Sequence, residues 1–172
     1  HITGKATLNR ILYLDSLSLT FNENALVLDG SVQNLNAYLL DRGILTSDLA
    51  IHTEHFSLNH FLRNQSGMAK RGKESPAAFF PGRMRLNARL HAGIFDAGKF
   101  RAEDLNLKLF LEGDSIFIPT FSLVFPDGRI TGNALISQNR EQILSVSCNS
   151  VSRHIDIRQL FTSFNNFAQH FI

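Results

Sequence analysis

Apolar and polar residues alternate at period two through most of this chain, and few folds accept that pattern. In "MRLNARLHA", Leu86, Ala88 and Leu90 fall on one side, against Arg85, Asn87, Arg89 and His91 on the other. "EDLNLKLFLEGD" places Leu105, Leu107, Leu109 and Leu111 together, and "DSLSLTF" sets Leu17, Leu19 and Phe21 against Ser16, Ser18 and Thr20. In "ALVLDGSV", Leu26, Leu28 and Val32 share a face. Successive side chains of a strand point to opposite faces, so each segment reads as a strand with one apolar and one polar side. "RITGNALIS" and "QILSVSCNS" add a further pair, and turns are expected at Glu112-Gly113-Asp114 and Pro126-Asp127-Gly128. About nine strands of ordinary length follow.

Helical signals are few. "NLNAYLLD" (Asn34 to Asp41) reads as a short helix stopped at Gly43, and "SLNHFLR" (Ser57 to Arg63) as a second one capped by Ser57. The third is "HIDIRQLFTSFNNFAQHFI" at the end of the chain. Asp156 fits as its N-cap, with Gln159 three residues on in a capping-box arrangement. Ile157, Leu160, Phe161, Phe164 and Phe167 recur at three-and-four spacing, forming an apolar stripe suited to packing on a sheet. Between Asn64 and Arg83 the stretch "NQSGMAKRGKESPAAFFPGR" has no periodicity and reads as a loop or linker onto which Phe79-Phe80 can dock.

The two sides of that linker resemble each other. "LSLTF" parallels "FSLVF", and "LDGSV" parallels "ITGNA", which matches Gly30 to Gly132. "LAIHTEHFSLNHFL" parallels "LSVSCNSVSRHIDIRQLF". The expected organisation is a first β-rich repeat over 1–63, a linker over 64–83, and a second repeat over 84–172, packed as one domain. The expected fold is mainly β: a curved antiparallel or mixed sheet, an open groove or half-barrel, with two or three short amphipathic helices. Nine apolar strand faces exceed what those helices can shield, so a concave apolar surface follows unless the sheet closes on itself.

The chain has 172 residues, of which 44% are apolar and 19% charged, with a formal net charge of +2. The small basic excess is no stripe. Its one cluster, Lys70, Arg71 and Lys73, reads as a solvated loop, so nucleic acid is not an expected partner. The single cysteine, Cys148, excludes an internal disulfide and reads as a small core or edge hydrophobe. Phenylalanine is abundant at 15, against two Tyr and no Trp. Phe brings large apolar area without a polar handle, which suits a greasy interior or an apolar ligand surface. No leader peptide and no apolar run of membrane-spanning length is visible, and the chain reads as a piece of something longer.

No catalytic motif appears: no nucleophile elbow, P-loop, Rossmann fingerprint or HExxH. His52, His55 and His60 cluster around Glu54. On a regular strand, however, 52 and 55 point to opposite faces, which argues against converging zinc ligands. Asp114 and Asp127 are explained by turn chemistry. No cofactor, metal or enzyme activity is expected.

With strands and terminal helix in place, the run "GRITGNALIS", then "ILSVSCNSV", then "RHIDIRQLFTSFNNFAQ" resembles the C-terminal region of the AsmA family, within the AsmA/TamB-type superfamily of Gram-negative envelope proteins. The form "IDIRQLFTSFNNFAQ" is similar to AsmA-like proteins of the Bacteroidetes type. The resemblance covers about Arg85 to Ile172, and residues 5–62 more loosely. It implies a periplasmic segment tethered to the inner membrane through an N-terminal helix outside this sequence. It further implies an apolar β groove that carries phospholipid between inner and outer membranes, with the rest of the same long chain and envelope assembly proteins as partners. The family supplies no catalytic residues. A periplasm-spanning groove is longer than 172 residues can build.

Groove candidates follow from the facing pattern alone: Leu105, Leu107, Leu109, Phe121, Leu123 and Phe125, then Leu17, Leu19 and Phe21. Alternating Leu and Phe are also what an ordinary sheet core requires. Two alternatives stand beside the lipid reading. One is a protein-interaction or scaffolding module without a lipid role, which an unpaired edge strand would favour. The other is an enzyme with a non-local site, which a polar pocket with converging carboxylates or histidines would favour.

Overall fold

In a computed structural model of the chain, residues 2–8, 11–21, 23–59, 82–125, 128–139 and 143–156 are described, together with Arg158 and Thr162. Nine strands follow one another across a single sheet in chain order: β1 (Ile2–Leu8), β2 (Ile11–Phe21), β3 (Asn24–Gln33), β4 (Leu45–Ser57), β5 (Met84–Ala97), β6 (Phe100–Glu112), β7 (Ser115–Phe125), β8 (Gly128–Gln138) and β9 (Leu144–Arg153). The fold is mainly β, as the alternation requires, and the sheet is not closed: β1 and β9 are its two edges.

All neighbouring pairs are antiparallel except β4–β5, which is parallel. That exception explains the aperiodic stretch in the middle of the sequence. A parallel pair needs a crossover of a dozen residues or more, whereas a hairpin needs about two. β5 and β6 are joined by Gly98-Lys99 alone, and β6 and β7 by Gly113-Asp114. β4 ends at Ser57 and β5 begins at Met84, so residues 58–83 carry the chain back to the start of the sheet. The β4–β5 ladder runs from Leu45 opposite Met84 to Ser57 opposite Asp96 and joins the two halves of the chain in one sheet.

The chain places four strands and α1 before the crossover and five strands after it. β2, β3 and β4 form one meander, and β7, β8 and β9 another. Each first strand carries a bulge. In β2 the register shifts between Leu14 and Leu17, where Ser16 takes a positive φ of 50° and its N–H donates to Asp29 Oδ1 at 2.8 Å. In β7 it shifts between Ile118 and Phe121, around Pro119. Proline lacks the N–H that a central strand donates to its ladder, and a bulge is where a sheet tolerates it.

Helix is scarce among the described residues. α1 (Leu35–Leu39) is a single short helix, inside the predicted Asn34 to Asp41. Ser57 closes β4 with a buried side chain; Leu58 and Asn59 are helical, and the rest of the predicted second helix lies outside the described residues. So do Ile157, Leu160, Phe161, Phe164 and Phe167 of the terminal stripe, and Phe79-Phe80 of the linker. At the entry to the terminal helix, the Arg158 N–H donates to Asp156 Oδ1 at 2.8 Å, the bond of an N-cap. Thr162 Oγ1 donates to the Arg158 carbonyl at 2.8 Å, one helical turn back.

The core lies on one face. Leu90 and Ala92 of β5, Phe100, Ala102 and Leu105 of β6, Leu123 and Phe125 of β7, and Ile130 of β8 form one buried cluster. Phe100 and Phe125 stack with ring centroids 5.2 Å apart and planes within 2°. Phe56, Phe95 and Ile155 pack against this cluster. Phe56 and Phe95 require a change of face within their strands. On β5 the even positions Ala88, Leu90 and Ala92 are buried, yet odd-numbered Phe95 packs against the core; on β6 the odd positions Leu105 and Leu111 are buried, yet so are Phe100 and Ala102. The switch falls where Gly93 and Asp104 drop out of the ladder, Asp104 at φ 50°. On β4 it falls at Glu54, which is likewise skipped between Thr53 and His55.

Candidate functional site

The apolar face collects all of the groove candidates. Leu107 of β6 is the register partner of Phe121 of β7 and of Leu90 of β5, and Leu109 is the partner of Ala88. They divide by burial. Leu105, Leu123 and Phe125 are 4%, 6% and 3% exposed and are members of the core, so they have little surface left for a ligand. Leu107, Leu109 and Phe121 are half-buried. So are Leu17 and Leu19 on β2, whereas Phe21 is 46% exposed at that strand's end. Half-buried Ile116, Ile118 and Ile136 continue the strip along β7 and β8. The described strands make extended contact only with their neighbours in the sheet, so among the described residues no second sheet covers this strip.

The opposite face is polar over β2–β5 and carries two adjoining depressions, whereas further along it Phe110, Phe117 and Leu135, register partners across β6, β7 and β8, are exposed. The larger, of about 680 Å³, lies over the ends of β2–β5 and is lined by Glu23, His52, Glu54, His55 and His91 among others. His52 and His55 therefore line one depression, contrary to the expectation that they face apart. That expectation assumed an unbroken strand, and the skip at Glu54 turns His55 to the same side as His52. His55 Nε2 is hydrogen-bonded to Asp96, which also lies 4.0 Å from Arg101. His52 and His91 are register partners on the parallel strands, their ring centroids 6.0 Å apart.

His52, Glu54, His55 and His91 are all exposed. No group of three or more His, Cys, Asp or Glu among the described residues is arranged to hold a metal ion. The second depression, of about 510 Å³, is lined by Ala50, His52, Arg89, Leu90, His91, Asn106, Leu107, Lys108, Thr120 and Ser122.

The edge strand β9 is exposed throughout its described side chains. Val146 and Val151 are 67% and 58% exposed, on opposite faces of the strand. Cys148 is exposed on the same strand, at the edge of the sheet and outside the core.

Sequence reasoning placed the apolar strip and missed the polar depressions. The members of those depressions were visible as polar positions of alternating strands. Their convergence depends on the parallel β4–β5 register and on the skip at Glu54 and Gly93, and neither has a local signature.

No protein-family model matches this chain, and no curated protein or solved structure gives a significant match. The class that fold and surface define is an open, mixed, nine-stranded β-sheet protein with one apolar face and an opposite face that is polar over β2–β5. No described helix is long and apolar enough to cross a membrane.

Proposed function

We propose that this chain is a non-enzymatic segment of an AsmA-like envelope protein, whose apolar face shelters the acyl chains of phospholipid in transit between inner and outer membranes. One observation carries the reading: Leu107, Leu109 and Phe121 form a half-buried strip on an open sheet that, among the described residues, no second sheet covers. Apolar surface left in water costs about 25 cal/mol per Å². An acyl chain laid along such a strip recovers that energy without any directed polar contact. The buried Phe100–Phe125 end serves on this reading as structural floor, and the strip running toward Ile116 and Ile136 as the path.

The test is native mass spectrometry of the purified protein, with organic extraction and lipid analysis, repeated on Leu107→Asp and Leu109→Asp. Both sites are only half-buried, so the variants are expected to fold. Co-purifying phospholipid that is lost from the variants supports the reading. A lipid-free protein that also fails to take up a fluorescent fatty acid overturns it.

One observation favours a second reading, a protein-interaction module without a lipid role. β9 is an edge of ten residues with exposed valines on both faces. Its unpaired backbone groups are a template for strand addition by the rest of the same long chain or by an envelope assembly partner.

A further inference from the structure

Arg89 and Lys108 are directly opposed register partners on the antiparallel pair β5–β6. Like charges set opposite each other on one face of a sheet repel, and a structural role gives no reason to keep them there. Among the described residues neither has a carboxylate within ion-pairing distance, although Arg83, Arg85, Arg101 and Arg129 all do. One row further along the same face, His52 stands opposite His91.

These four side chains surround the depression of about 510 Å³, with the Thr120 and Ser122 hydroxyls of β7 on its far side. Among the described residues no carboxylate lines it. Asp48 and Asp29 are turned to other partners, whereas Asp104 lies against His91 of the site itself. Asp48 accepts from Asn87 at 3.1 Å and Asp29 from the Ser16 N–H at 2.8 Å. Asp104, at the rim, accepts from Asn106 at 2.8 Å and lies 3.5 Å from His91 and 3.9 Å from Arg129. The Lys108 ammonium rests over the Phe110 ring, 4.9 Å from its centroid.

We propose that this depression binds a phosphate group, carried either by a small phosphomonoester or by a lipid headgroup. Arg89 presents the planar fork that matches phosphate oxygens, and Lys108 a point charge beside it. The imidazole N–H groups of His52 and His91 and the two hydroxyls supply further donors around the remaining oxygens. A bound dianion turns the Arg89–Lys108 repulsion into a shared attraction. The inference does not rest on the acyl-chain reading, because this site lies on the opposite face of the sheet.

The test uses the purified chain, the double variant R89Q/K108Q, and the charge-matched control K99Q/R153Q, whose changes lie in the β5–β6 turn and on β9. Inorganic phosphate and glycerol 3-phosphate are titrated by calorimetry. Flotation is measured with vesicles of phosphatidylcholine alone and with phosphatidic acid added. Saturable phosphate or phosphomonoester binding, weakened about tenfold or more in R89Q/K108Q and unchanged in the control, establishes the site for a free phosphate group. Flotation only with phosphatidic acid, lost in the same variant alone, establishes it for a headgroup. R89Q/K108Q is expected to melt no lower than the parent, since it removes a repulsion. Binding in neither assay, or equal loss in both variants, overturns the proposal.

Discussion

Asn24 and Ser57 hold each other through a reciprocal pair of buried hydrogen bonds. The Ser57 N–H donates to Asn24 Oδ1 at 2.7 Å, and Asn24 Nδ2 donates to the Ser57 carbonyl at 3.3 Å. Asn24 opens β3 and is 2% exposed; Ser57 ends β4 where the chain leaves for its crossover. A side-chain amide carries both a donor and an acceptor, so one residue satisfies both backbone groups of the strand's last position.

Removing that amide leaves a buried N–H and a buried carbonyl without these partners, each a loss of about 1–3 kcal/mol. Asn24→Ala is therefore expected to destabilise the protein by about 2–4 kcal/mol in urea unfolding. Asn24→Asp keeps the acceptor but loses the donor and buries a charge, and it should be at least as costly near neutral pH. An unmoved midpoint for Asn24→Ala would show that the exit of β4 is held by other contacts.

The matched glycines Gly30 and Gly132 give a second test. Gly30 pairs with Leu49 and Gly132 with Ser150, and a Cβ at either would collide with the carbonyl oxygen one residue earlier on the next strand, Asp48 or Asn149. Gly30 also holds a φ of 139°, a region nearly closed to other residues. Gly30→Ala combines the clash with the strain and should cost more than 3 kcal/mol. Gly132→Ala has the clash alone, next to the outermost strand, where β9 can give way. The expected order in thermal melts is Gly30→Ala lowest, then Gly132→Ala, then the parent. The reverse order would mean that the inner hairpin tolerates a shift that the edge does not.

The core stack is open to a direct energetic measurement. Phe100 and Phe125 lie parallel with centroids 5.2 Å apart, and both are almost fully buried. Phe→Ala at either site is expected to cost about 3–5 kcal/mol. A double-mutant cycle with Leu at both positions should return a coupling of about 0.5–1.5 kcal/mol beyond area burial. A coupling near zero would assign their contribution to burial alone.

These pairings differ in how far the chain announced them. The strands and their apolar faces were legible because alternation is local: Leu86, Ala88 and Leu90 on β5 and Leu105 to Leu111 on β6 sit where period two puts them. The Asp156 cap was legible for the same reason. The partners of those faces were not. Nothing near Ser57 says that the next strand pairs in parallel, because that pairing is decided across the crossover. Nothing near Glu54 says that the strand loses step there, because the skip is shared with Gly93, some forty residues away. Phe56, Phe95 and Phe100 enter the core through that loss of step, and His55 turns outward through it. The groove candidates illustrate the remaining limit. Alternation puts Leu105 and Leu107 on one face but cannot say that the first is core and the second half-open, since burial depends on what lies over the sheet.

The edge strand gives the last prediction. Val146 and Val151 are exposed on opposite faces of β9, so neither contributes much burial to the fold. Surface substitutions of this kind usually change stability by less than about 0.5 kcal/mol. Lysine on an edge strand, however, opposes strand addition, because an incoming strand would have to desolvate the ammonium group. V146K/V151K should therefore melt with the parent while abolishing any concentration-dependent association seen in sedimentation velocity. Association that survives both lysines would place the contact elsewhere, on the apolar strip around Leu107 and Phe121. In that event Leu107→Asp should disperse it, and the same variant would then report on both readings of the apolar face: lipid lost without a change in mass marks a groove, and mass lost without lipid marks an interface.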